Sequence, residues 1–180
     1  MGISWGYRDR ILITEDKKEE FDRPTEIPYI HSPKRPSSLP ADVHTVSVKG
    51  KKWGVVVGLL CGKPFELFAG SSIELPLSDH VKEAYIKKNG SNRYHLIMKI
   101  TDNKINEISD IRKLYDNDEQ RVITRFVCRE LRHGIPIKFI IRDLEDHKGS
   151  ISNYSSALAR VLKRYVQRPK DDKSYLVMRS

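Results

Sequence analysis

Cys61 and Lys63 flank Gly62 in the run LLCGKPF, the one place where residue types and spacing suggest a reactive group. A thiol at a turn beside an ammonium ionises more easily and can serve as a nucleophile or redox centre. No resolving cysteine and no base follows nearby, so Cys61 is a redox candidate by position alone. Cys128, inside RFVCRELR, reads as a small core residue on a helix. The histidines His31, His44, His80, His95, His133 and His147 are dispersed, and none sits at metal-ligand spacing with a cysteine or carboxylate. Gly54, Gly58 and Gly62 fall four apart on a strand and a turn, which suits packing clearance and not a phosphate-cradling loop. The sequence therefore assigns no catalytic, cofactor-binding or metal-binding residue to this chain.

What remains is cationic. Lys34, Arg35, Lys49, Lys51 and Lys52 gather in a proline-rich stretch and the first turn. Arg160, Lys163, Arg164 and Arg168 form a stripe opposite Leu158 and Leu162. Such groups contact phosphates or an acidic partner, and a solvated helix face is the plainer alternative. Few aromatics interleave with them, so a surface for stacking the bases of a single strand is not evident.

Elements must hold these groups in place. Pro24, Pro28, Pro33, Pro36 and Pro40 recur at intervals of three to five and fix residues 1–40 as an extended N-terminal arm. Ile11–Ile13 could dock within it as a short strand. Val43, Thr45 and Ser47 alternate with His44, Val46 and Val48, and Trp53–Leu60 is apolar and β-branched, as in a strand buried on both faces. Gly50 and Cys61-Gly62 mark turns, and Phe65, Leu67 and Ala69 continue the sheet. KEAYIKK and RYHLIMKI flank a second hairpin turn at Asn89-Gly90-Ser91-Asn92, with KINEI as a further strand. After Asp116 or Asn117 the period becomes helical. Val122, Ile123, Phe126, Val127 and Leu131 make one expected inward stripe, Ile137, Ile140, Ile141 and Leu144 a second, and Tyr154, Leu158, Val161, Leu162 and Tyr165 a third. Gly134 and Pro136 separate the first two helices, Gly149 ends the second, and Ser150 or Ser152 caps the third. The expected architecture is α+β: an antiparallel sheet of four to six strands followed by three helices packed on one face, behind an extended Pro-rich arm. The sheet is assigned to 41–110 and the helices to 111–168. Residues 169–180 read as a tail in which Tyr175–Met178 could add a strand.

Composition sets outer bounds. A charged fraction of 32% against 38% hydrophobic residues fits one modest core with solvated ends. The net charge of +9 favours an anionic or acidic partner. Two cysteines exclude a disulfide scaffold and a four-cysteine zinc site, and point to a reducing, cytoplasmic compartment. No apolar run is long enough for a bilayer, and Met1–Ile13 lacks the apolar stretch of a signal peptide, so no membrane is expected.

Three passages carry a family resemblance. KRP…LPADVHTVSVKGKKWGVVVGLLCGKPFELFAG closely resembles the C-terminal region of adenosylcobalamin-dependent (class II) ribonucleotide reductases, in its KRP-x-x-LP segment, VKG turn and GKP(F/Y)E strand. ITRFVCRELRHGIPIKFIIRDLE is similar to that region's helix, RHG(T/I)P turn and second helix, and SNYSSALARVLKRYV to its last helix. The resemblance covers about Lys34–Val166 and implies a TSCPD-type domain. It implies a non-catalytic accessory module in deoxyribonucleotide synthesis and DNA replication, docking on a larger catalytic chain that holds the adenosylcobalamin and the radical cysteine. The family's barrel has no counterpart here, and QRPKDDKSYLVMRS lacks the family's Cys-x-x-Cys tail. The alternative is a module repurposed as a basic binding or structural protein in a nucleoprotein or other assembly, with nucleic acid as its partner. On the first reading the arm carries much of the interface, so deleting residues 1–40 should weaken association without unfolding the domain.

Overall fold

The computed structural model describes residues 31–71, 80–90, 93–146 and 152–166. The expectations for Ile11–Ile13, Gly149, Ser150, Arg168 and Tyr175–Met178 lie outside these residues. Six strands form the sheet: β1 (Ser38–Val48), β2 (Lys51–Leu60), β3 (Lys63–Ser71), β4 (Glu83–Asn89), β5 (Arg93–Thr101) and β6 (Lys104–Ile108). Their order is β3-β2-β1-β4-β5-β6, and every pairing is antiparallel. A 3-10 turn (Ile111–Leu114) leads into α1 (Asp118–Arg132), α2 (Ile137–Glu145) and α3 (Ser152–Val166).

Local chemistry sets the two tight hairpins. Lys49-Gly50 and Cys61-Gly62 both take positive φ at consecutive positions, 47° and 80°, then 51° and 72°. Two left-handed residues in a row make the two-residue turn whose twist matches antiparallel strands. Asn117 caps α1, its side chain accepting from the Gln120 N–H, and Gly134 leaves the helix at φ 73°. The sheet begins at Ser38, so residues 38–40 belong to β1, and Leu39 is 1% exposed.

Both faces of the sheet are covered. Val46, Val48, Trp53, Val55, Val57, Leu67 and Ala69 meet the helices, chiefly Tyr154, Leu158, Val161 and Leu162 of α3. Ala41, Val43, Val56, Phe68, Ile86, Leu96 and Met98 form a second core with Ile111 and Leu114 of the 3-10 turn. β2 contributes to both, hence its unbroken apolar run. Phe68 on β3 and Tyr94 on β5 touch, with ring centroids 5.2 Å apart. Four ladder steps of a flat sheet would hold them roughly 19 Å apart. The sheet is therefore strongly coiled, bringing its two halves together over the second core.

One helix face differs from expectation. Val122 and Phe126 of α1 are 47% and 57% exposed, whereas Gln120, Thr124, Val127, Cys128 and Leu131 are buried. The physical reason is the surface that α1 covers, the polar free edge of β3. The Cys128 thiol accepts from the Leu67 N–H at 3.2 Å and donates to the Leu67 carbonyl at 3.3 Å. The Thr124 hydroxyl donates to the Gln120 carbonyl at 2.8 Å and meets the Tyr154 hydroxyl at 2.6 Å. A strand edge calls for hydrogen-bonding side chains, and Val122 and Phe126 have none to give.

Candidate functional site

Glu66 sits on β3 with no exposed surface. A buried carboxylate needs cations and donors around it. Arg35, ahead of β1, supplies Nε at 2.9 Å and Nη2 at 2.6 Å. Arg132, at the end of α1, supplies Nη2 at 2.9 Å. The same Arg35 donates to the Ile86 carbonyl of β4 at 3.1 Å and lies 5.4 Å from the Tyr94 ring centroid. This ion triad ties together the segment before β1, strands β3 and β4, and α1. Its members come from KRP, GKPFE and RHG, one from each of three separated motifs.

Beside the triad a cleft of about 620 Å³ opens between α1 and the coiled half of the sheet. Phe68, Tyr94 and Tyr115 form its aromatic wall, and Thr124 and Cys128 line it from α1. Phe68 and Tyr115 stack at 6.5 Å. Burial pushes the Tyr115 and Tyr154 hydroxyls well above the usual phenol range, and pushes the Cys128 thiol up to about 11. Five guanidiniums line the same cleft: Arg112, Arg121, Arg125, Arg129 and Arg132. Asp110 pairs with Arg112 at 2.7 Å, and that hydrogen bond holds its carboxyl below the usual carboxylate range. Asp118 pairs with Arg121 at 3.0 Å.

The cations expected from the sequence are dispersed. Lys34, Lys49 and Lys52 are exposed. Arg35, 10% exposed, is turned inward to Glu66. Lys51 meets Asp116 at 3.0 Å and lies over Trp53 at 4.2 Å. On α3, Arg160 donates to the Ser47 carbonyl, Lys163 pairs with Glu145, and Arg164 reaches His44 Nδ1 at 2.9 Å. His44 Nε2 meets the Tyr165 hydroxyl at 2.7 Å, which donates to Asp42 at 2.8 Å. Arg160, Lys163 and Arg164 thus fasten α3 to β1 and α2. Cys61 is exposed at its turn, and Cys128 is buried.

Sequence reasoning missed Glu66, Tyr94, Tyr115 and the five cleft arginines. Arg121, Arg125, Arg129 and Arg132 recur at four, four and three residues, a helical stripe that was legible. Among the described residues no group of His, Cys, Asp or Glu is placed to hold a metal ion, and no helix is long and apolar enough to cross a membrane.

A coiled antiparallel sheet followed by three helices, tied by a buried ion triad, is an α+β fold. A family model described as the NrdJ homologue C-terminal domain matches residues 39–167, and the chain belongs to that family. The domain is ribonucleotide-reductase-related. No curated protein and no solved structure matches the chain.

Proposed function

We propose that the domain is a non-catalytic accessory module that docks on a larger ribonucleotide reductase catalytic chain. The family match over residues 39–167 is the observation that carries this reading. The surface of α1 and α2 supports it. Val122 and Phe126 lie one turn apart on α1, and with Ile135 and Phe139 they are 40–57% exposed. Exposed apolar side chains of this size in one helical region suit protein contact. Cations flank the aromatics: Arg129 lies 5.8 Å from the Phe126 ring, and Lys138 and Arg142 lie 5.0 and 5.4 Å from that of Phe139. An apolar partner face with an acidic rim fits this pattern. On this reading adenosylcobalamin and the radical chemistry belong to the catalytic chain.

Affinity capture on the tagged full chain, from cells that express a reductase catalytic chain, tests the reading. The wild type is expected to retain that chain, and the double variant Phe126→Asp, Phe139→Asp to lose at least about 1.4 kcal/mol of affinity, tenfold. The melting temperature should hold, since both side chains face solvent. No reductase chain retained by the wild type overturns the reading, and equal retention by the variant overturns the α1–α2 surface.

A further inference from the structure

We propose that the arginine-lined cleft binds a nucleotide-sized ligand, a chain of phosphates joined to a flat ring. The proposal is independent of docking on another chain. Its first support is charge. The five cleft arginines and Arg35 make six guanidiniums, and they meet three carboxylates, Glu66, Asp110 and Asp118. Arg125 and Arg129 have no carboxylate within ion-pair range among the described residues, and the Arg132 Nε–H is buried without an acceptor.

The second support is placement. Arg121, Arg125, Arg129 and Arg132 follow one another along a single stripe of α1. Like charges one turn apart destabilise a helix by about 0.2–0.5 kcal/mol per pair. A solvated helix face normally intersperses acids, yet Glu119 and Glu130 do not line the cleft. Arg112 faces the stripe from the 3-10 turn on the other wall, so the cations surround a volume instead of coating a convex surface. Guanidiniums grip phosphate oxygens through paired, charge-assisted hydrogen bonds.

The third support is the aromatic wall. Tyr94 and Tyr115, backed by the buried Phe68, provide flat surface for a ring beside the cationic stripe. About 620 Å³ is the size of a small-ligand site and too little for a folded partner. The stripe from Arg121 to Arg132 spans roughly 16 Å by helical rise, enough for several phosphates in a row.

Isothermal titration of the full chain with ATP, tripolyphosphate and adenosine, at about 0.15 M ionic strength, tests the proposal. ATP is expected to bind more tightly than either fragment. The variant Arg125→Glu, Arg129→Glu is expected to weaken ATP binding by at least about tenfold, because each charged hydrogen bond is worth about 1.5–3 kcal/mol. Both side chains are exposed, so the circular dichroism spectrum should not change. A second variant, Tyr94→Ala, should lower ATP affinity and leave tripolyphosphate affinity unchanged. No ATP binding by the wild type, ATP binding unaffected in the arginine variant, or tripolyphosphate binding as tightly as ATP each overturns the proposal.

Discussion

Glu66 is held by two arginines that arrive from opposite directions along the chain, 31 residues before it and 66 after. Removing the charge from such a pair leaves two guanidiniums facing a neutral side chain, and breaking a buried pair costs about 3–5 kcal/mol. Glu66→Gln should therefore lower stability by about 3 kcal/mol, read as a lower urea midpoint at unchanged slope. Glu107→Gln, whose carboxylate is 54% exposed beside His95, serves as the control and should shift stability by less than about 1 kcal/mol. Equal effects would show that water screens the triad. Glu66 could not be recognised from sequence. In PFELFA it occupies a polar position of an alternating strand, which reads as solvent-facing. Only coiling of the sheet and the arrival of Arg35 and Arg132 make that position interior, and strand periodicity contains neither.

Among the elements, strands and tight turns were the most legible, because Lys49-Gly50, Cys61-Gly62 and the β-branched run of β2 each have a local cause. The α1 face was the least legible. Its apolar residues suggested an inward stripe through Val122 and Phe126, while the structure turns both outward, buries Thr124 against the Gln120 carbonyl and the Tyr154 hydroxyl, and sets the expected core residue Cys128 on the edge of β3. Long-range demand outweighed helical periodicity there. Gly70 shows a similar long-range constraint. A Cβ at that position would lie 1.6 Å from the Leu114 carbonyl oxygen, since the 3-10 turn rests directly on β3. Gly70→Ala should displace that turn and destabilise the protein by about 3 kcal/mol. Gly90→Ala, at φ 69° with no atom within 4 Å, should lose only about 1 kcal/mol from backbone strain. Thermal melts of the two variants separate the effects, and equal shifts would mean that the 3-10 turn yields freely.

For the molecule as a whole, the expectation that deleting residues 1–40 weakens association without unfolding the domain meets a structural cost at residues 35–40. Arg35 belongs to the ion triad, Leu39 to the interior, and Ser38–Ala41 to the pairing of β1 with β4. A chain lacking residues 1–34 and one lacking residues 1–40 should differ sharply. Loss of a buried leucine together with Arg35 is worth several kcal/mol, so the shorter chain should melt roughly 10 °C lower or more. Identical melting curves would show that the start of β1 adds nothing. Finally, the Cys128 thiol occupies both main-chain groups of Leu67 on the outer side of β3. A foreign peptide seeking to extend the sheet there finds Leu67 already occupied. At the far end β6 is five residues long and carries Lys104 and Glu107, a poor template for strand addition. Among the described residues, assembly through shared β-structure is thereby discouraged at both ends, and helices and side chains are left as the means of recognition.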